Sequence, residues 1–85
     1  MQADRLLVSI IVPTLNEAAT IERTLRALLQ LRGNKEILVV DGGSSDSTVA
    51  IAQAHVPTVI QTGRGKGLQM DAGAKAARGD VLWFL

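Results

Sequence analysis

Asp41 ends the apolar run Glu36 to Val40 and opens the segment Asp41-Gly42-Gly43-Ser44-Ser45-Asp46-Ser47-Thr48. A carboxylate at the end of a buried strand can accept hydrogen bonds from a base N–H or from ribose hydroxyls, as an acid does at the analogous place in dinucleotide-binding folds. Farther along, Gly63-Arg64-Gly65-Lys66-Gly67 sets two cations among three glycines, a combination suited to a diphosphate because free backbone N–H groups at a helix start attract anions. Pro13-Thr14-Leu15-Asn16-Glu17 supplies a further acid, Glu17, that competes with Asp41 for the nucleoside. Acids for the nucleoside and cations for the phosphates explain why Asp41 and Asp46 stand in a glycine-serine loop that would otherwise suit an anion. In this division Asp46 is a helix cap, Gly42 and Gly43 make room for ligand or backbone, and Arg64 and Lys66 take the phosphates.

More familiar chemistries lack their residues. A dinucleotide fingerprint needs Gly-x-Gly-x-x-Gly after the first strand, where Pro13 to Glu17 stand instead. A Walker loop needs a glycine where Ile60 stands and a hydroxyl directly after the Gly-Lys pair, where Gly67 and then Leu68 stand. Ser44 and Ser45 have no Gly-x-Ser-x-Gly frame, and His55, the single histidine, falls at a helix end away from these loops.

The elements that position the loops follow from patterning. Leu6 to Val12 is a continuous aliphatic run, as in a strand buried on both faces, and Pro13 is expected to end it. Asn16 is placed to cap a helix, with Glu17 as its first residue and Ile21, Leu25, Leu28 and Leu29 on its apolar face; Gly33 and Asn34 stop it. Glu36 to Val40 is a second buried strand. A second helix, capped by Ser45 or Asp46, carries Val49, Ala52 and Val56 inward and ends at Pro57. Thr58 to Gln61 is a more polar edge strand. A third helix runs to about Arg78, with the small residues Ala72, Gly73, Ala76 and Ala77 against the sheet, and Val81 to Leu85 forms a fourth strand. Strands alternating with helices predict a three-layer α/β Rossmann-like domain with a parallel sheet in the order 3-2-1-4. Its ligand edge lies at the carboxyl ends of the strands, where all three unusual loops fall.

Composition sets the limits. The 85 residues form one domain, 47% hydrophobic with mean hydropathy +0.23, which is too apolar for a disordered chain. Nine basic and eight acidic residues, mixed along the chain, give a net charge of +1 and no footprint for nucleic acid; with 2% aromatic residues there is no base-stacking platform either. No run is long enough to span a membrane, no signal peptide is visible, and the absence of cysteine fits a reducing, cytoplasmic setting.

Four stretches together, Ser9 to Glu17, Val39 to Thr48, Gly65 to Gly73 and Ala77 to Leu85, resemble in order and spacing the amino-terminal half of family 2 glycosyltransferases of the GT-A fold, and most of all the bacterial branch labelled radical-SAM/selenodomain-associated transferases. The resemblance implies a UDP- or GDP-linked sugar donor and an inverting transfer to an acceptor hydroxyl. It places Pro13, Thr14, Asn16 and Glu17 in the nucleoside pocket, Asp41 on base or ribose, and Lys66 with Gly67 and its neighbouring glycines near the diphosphate. It also implies Mg²⁺ or Mn²⁺, held by acids expected just after Leu85, and a base later still. On this reading residues 1–85 are a truncated GT-A domain, a donor-binding portion inactive alone, with no catalytic or metal-ligating residue of its own. Many members carry a second acid where Gly42 stands, so base recognition rests on Asp41 alone or differs in its choice of base; Asp71 stands where Asn is frequent.

Two other classes share parts of this pattern. A nucleotidyltransferase-like domain would carry a glycine-rich basic loop after the first strand, and a non-catalytic, receiver-like nucleotide-binding module would carry paired acids there. Pro13 to Glu17 supplies neither. Finally, an unpaired Val81 to Leu85 strand is expected to drive self-association.

Overall fold

A computed structural model describes residues 6–85. Seven elements alternate along the chain: β1 (Val8–Thr14), α1 (Ile21–Leu29), β2 (Lys35–Asp41), α2 (Thr48–His55), β3 (Thr58–Gln61), α3 (Lys66–Ala76) and β4 (Val81–Phe84). All strand pairs are parallel, in the order β3-β2-β1-β4, as the alternation predicts.

Period-two alternation in the central strands divides the core between two helical layers. Ile10, Val12, Ile37 and Val39 meet Ile21, Leu25 and Leu28 of α1 together with Ala52 of α2 and Val56 behind it. Ile11 and Val40 face α3, where Gly73 lies so close that a Cβ on it would stand 2.5 Å from Ile11 Cγ2 and 3.3 Å from Val40 Cγ2. Close approach of α3 thus rests on that single glycine: Ala72 is only half-buried and Ala76 is exposed.

Several boundaries differ from expectation. β1 runs through Pro13 to Thr14. A proline is tolerated in this central strand because odd-numbered residues of β1 turn their backbone groups toward β4, as Ile11 does in accepting from Leu85 N, and β4 pairs only as far as Ile11. The missing N–H of Pro13 therefore points away from β2 and leaves the β1–β2 ladder whole. α1 begins at Ile21, behind a turn in which Glu17 O accepts from Thr20 N and Ile21 N, so Glu17 is not its first residue and Asn16 is not its cap. Leu29, at the helix end, is 47% exposed beside a groove formed with Val56 and Pro57. α3 stops at Ala76, short of Arg78.

β4 is held mainly by its approach. Asp80 N and Val81 N both donate to Leu7 O, Asp80 Oδ2 accepts from Leu7 N, and Gly79 N donates to Ser9 Oγ. Ser9 Oγ in turn donates to Glu36 Oε2, which also accepts from Arg78 N, both at 2.6 Å. Hydrogen bonds from Ser9 and the Arg78 backbone, with help from the Arg78 charge, hold the Glu36 carboxyl below its ordinary value against the opposing effect of burial. Beyond this anchor, Val81 to Leu85 are each 40–46% exposed. An edge strand of that character pairs readily with another chain. Light scattering of the 85-residue chain is expected to show mass rising with concentration; a single monomeric species at high concentration would count against edge pairing.

Candidate functional site

The carboxyl ends of β1 and β2 carry two loops that are bonded to one another as tightly as the strands beneath them. Asn16, the one non-glycine residue with positive φ among those described (52°), accepts from Ser45 N at 2.8 Å and donates from its own N–H to Ser44 Oγ at 2.8 Å. Asparagine is among the few residues that adopt this conformation at low cost. Glu17 N donates to Thr48 Oγ1 and Ala18 N to Asp46 Oδ2. Asp46 also accepts from Thr48 N and from the Thr48 hydroxyl; it is not the N-cap of α2, which is Ser47, but from one residue earlier it satisfies the first N–H of the helix while bridging back to the first loop. These hydrogen bonds, Thr48's first, hold its carboxyl below the ordinary value.

Asp41 lies under both loops, 1% exposed. Oδ1 accepts from Thr14 Oγ1 (2.8 Å) and Ser44 Oγ (2.5 Å); Oδ2 accepts from Ser44 N (2.7 Å) and Gly43 N (3.1 Å). Burial by itself raises the Asp41 carboxyl, but these hydrogen bonds together outweigh it and leave the group below its ordinary value. A carboxylate offers about four acceptor positions, and here four donors use them. The acid expected to face the crevice is instead turned into the loop that it shapes. Gly43 allows that turn with φ +102°.

Gly42 is buried, and its missing side chain leaves room for Gln69: a Cβ there would stand 2.9–3.0 Å from the Gln69 carboxamide. The expected space for a ligand at this position is thus already taken by a side chain. Gln69, 5% exposed, donates from Nε2 to Thr14 O at 3.0 Å and Val40 O at 2.9 Å, tying α3 to the ends of both central strands. Sequence reading missed it. A glutamine amid small residues on a short helix carries no period signal; the available cue was its position one turn after a glycine-rich loop.

Beside Gln69 opens a cavity of about 210 Å³, walled by Pro13 and Thr14 at the end of β1, by Glu17 of the loop that follows, and by Arg64, Gly65 and Lys66 at the start of α3. This brings two of the three expected groups of residues into one place. Arg64 and Lys66 are exposed, and Gly65, with φ +136°, turns the chain into α3, whose first backbone N–H groups have no partner within the helix. Gly67 faces open space. Asp41, Gly42, Gly43 and Asn16 lie outside the cavity wall and act on it through Thr14, Gln69 and the clasped loops. Asp71 pairs with Lys75 on the exposed face of α3 and takes no part.

Among the described residues no three His, Cys, Asp or Glu side chains are grouped to hold a metal ion. The described residues therefore do not by themselves fit a divalent cation. No helix of the described residues is long and apolar enough to cross a membrane.

The family model for glycosyl transferase family 2 matches residues 9–85. A PGL/p-HBAD biosynthesis glycosyltransferase of Mycobacterium tuberculosis is 38% identical over 85 residues, which cover 91% of this chain and 33% of that one. Glycosyltransferase AglJ of Haloferax volcanii is 44% identical over 63 residues, 71% of this chain and 20% of that one. Among solved structures, glucosyl-3-phosphoglycerate synthase from M. tuberculosis in complex with Mg²⁺ and uridine diphosphate superposes with a TM-score of 0.82 at 30% identity, covering 94% of this chain and 32% of that one. The same enzyme with Mn²⁺, uridine diphosphate and glucosyl-3-phosphoglycerate gives 0.82 at 30% identity, with 94% and 33% covered. The chain thus spans about a third of the length of the relatives that it matches.

Proposed function

The chain belongs to glycosyl transferase family 2, and from that premise we propose that residues 1–85 supply the donor-binding portion of an enzyme that transfers a sugar from a nucleoside diphosphate to an acceptor hydroxyl. The fold is that of the GT-A glycosyltransferases. The observation that carries the proposal is the cavity in which Pro13, Thr14 and Glu17 oppose Arg64 and Lys66 at the carboxyl ends of the parallel strands, the position where this class of sheet binds ligands.

In this reading the cavity takes the nucleoside end of the donor. The diphosphate lies over Gly65 to Gly67, where the Arg64 guanidinium can grip phosphate oxygens in a fork, Lys66 adds a point charge, and the free N–H groups of α3 add donors. Gly67, with open space before it, lets the phosphates approach the backbone. Glu17, held over the cavity mouth by its own turn, is suited to ribose hydroxyls. Asp41 contributes by fixing Thr14 and Ser44. No side chain in this reading activates the acceptor or cleaves the sugar bond, so the chain by itself binds without turnover. The neighbours solved with uridine diphosphate and Mg²⁺ or Mn²⁺ support a metal-dependent reaction in the whole protein.

Calorimetric titration tests the reading. UDP or GDP is expected to bind and a flavin not, and the double substitution Arg64→Glu, Lys66→Glu is expected to weaken the diphosphate by about tenfold or more, since each lost charge-assisted contact is worth roughly 1.5–3 kcal/mol. Flavin binding, or diphosphate binding indifferent to the two charge reversals, would overturn it.

A further inference from the structure

Gln69 is more than a strut. Both hydrogens of its amide are directed at carbonyl oxygens, those of Thr14 and Val40, and since a carbonyl can only accept, Nε2 must be the atom facing them. The other end of the carboxamide is then fixed as an oxygen. No donor among the described residues reaches Oε1 within hydrogen-bond distance, yet no buried side-chain polar atom of the described residues lacks a partner. The oxygen therefore meets the surface, and the surface that Gln69 meets is the cavity between the first and third loops. A residue 95% buried, held through Nε2 by two carbonyls, thus keeps an acceptor oxygen available at the wall of that cavity.

Of the other acceptors at this end of the sheet, Asp41 is fully engaged and Glu17 is given to the ribose above, while Gly42 brings no side chain. The cavity, about 210 Å³, is smaller than the roughly 300–1,000 Å³ of pockets that bury a drug-sized ligand, so it suits a base rather than a whole donor. Resting on the donor-binding reading above, we infer that the Gln69 side-chain oxygen reads the base of the donor, accepting the ring N–H of an imide or lactam such as uracil or guanine. Cytosine and adenine present a lone pair at the corresponding ring nitrogen and would set acceptor against acceptor. Gly42 belongs to the same device, because a side chain there would displace the carboxamide from its seat.

The test is a comparison of bases that share one diphosphate. NMR titration of the ¹⁵N-labelled chain is expected to show UDP binding at least about tenfold tighter than CDP, because a site built around one hydrogen bond rejects the analogue that leaves its buried group unpaired. The Gln69 side-chain amide signals should move with UDP. Gln69→Met should bring the UDP:CDP ratio close to one; Gly42→Ala, which keeps the glutamine but displaces its carboxamide from that seat, should do the same. A merely structural Gln69 would weaken both nucleotides in parallel and leave the ratio unchanged. Equal binding of UDP and CDP by the unaltered chain, or a ratio that survives both substitutions, overturns the role of Gln69 while leaving donor binding standing. Binding of neither diphosphate overturns the donor-binding reading and this inference with it.

Discussion

Asp41→Ala is expected to lose about 3–5 kcal/mol in urea denaturation, from the desolvation of donors left without a partner in a buried place. A chain of this length has a total stability of about 5–10 kcal/mol, so the variant should lose a third or more of it and unfold at a markedly lower urea concentration. The cost is high because Asp41 is shared: Thr14, Gly43 and Ser44 all donate to it, and Ser44 Oγ also accepts from Asn16 N, so losing one carboxylate releases the clasp between the first and second loops. Asp41→Asn keeps the shape and one acceptor oxygen and should lose less. The two variants separate charge from packing through pH. Since folding lowers the Asp41 pKa below its ordinary value of 3.8, its contribution is complete above that value and is lost as pH falls through the lower, folded value. Glu36 and Asp46 are shifted in the same direction and share the acid limb. Asp41→Asn should therefore be less sensitive to acid than the parent chain below about pH 4, while retaining the limb set by the other two. Identical acid limbs in parent and variant would mean that Asp41 carries no differential protonation.

Much of this arrangement is legible in the sequence. Unbroken aliphatic runs mark β1 and β2, the crossover lengths force parallel pairing, and the order β3-β2-β1-β4 follows. Helix starts are less legible, because the first turn after β1 is stabilised by contacts 28 to 31 residues away, such as Asn16 with Ser44 and Glu17 with Thr48, rather than by a local cap. The direction in which a polar side chain turns is also hidden from the sequence. Asp41 and Gln69 show this: the acid, expected at the crevice, turns inward because four donors converge on it, and the glutamine of α3, of which nothing was expected, lines the cavity because Gly42 leaves it room. A single chain records residue types at both positions, but which polar group wins the crevice depends on backbone donors that only the folded loops bring together.

Gly79→Ala should have the second large effect, and a local one. A Cβ on Gly79 would lie 2.4 Å from Ser9 Oγ, 2.7 Å from Ser9 N and 2.8 Å from Leu7 O. The hydroxyl could rotate only by giving up its bonds to Gly79 N and Glu36, and the backbone atoms are held, Ser9 N by the pairing of β1 with β2 and Leu7 O by the bond from Val8 N of the same peptide to Asn34 O. Overpacking of this kind costs roughly 1–3 kcal/mol when neighbours can yield and more when they cannot. Here the neighbour that can yield is β4 itself. Its four residues are more than a third exposed, so the clash is relieved most cheaply by lifting the strand off Val8 to Ile11, and the loss cannot exceed what docking of β4 contributes. The single tryptophan, Trp83, lies in β4 opposite Ile10 and reports the event. The variant should shift Trp83 emission to the red and abolish amide protection at Val81 to Phe84, while β1, β2 and β3 keep theirs. Ser9→Ala removes the hydroxyl but not the backbone contacts, so adding it to Gly79→Ala should not restore β4. Unchanged emission and protection in Gly79→Ala would show that the turn before β4 can reshape without cost, and would remove Gly79 as the residue that fixes the strand's register on β1.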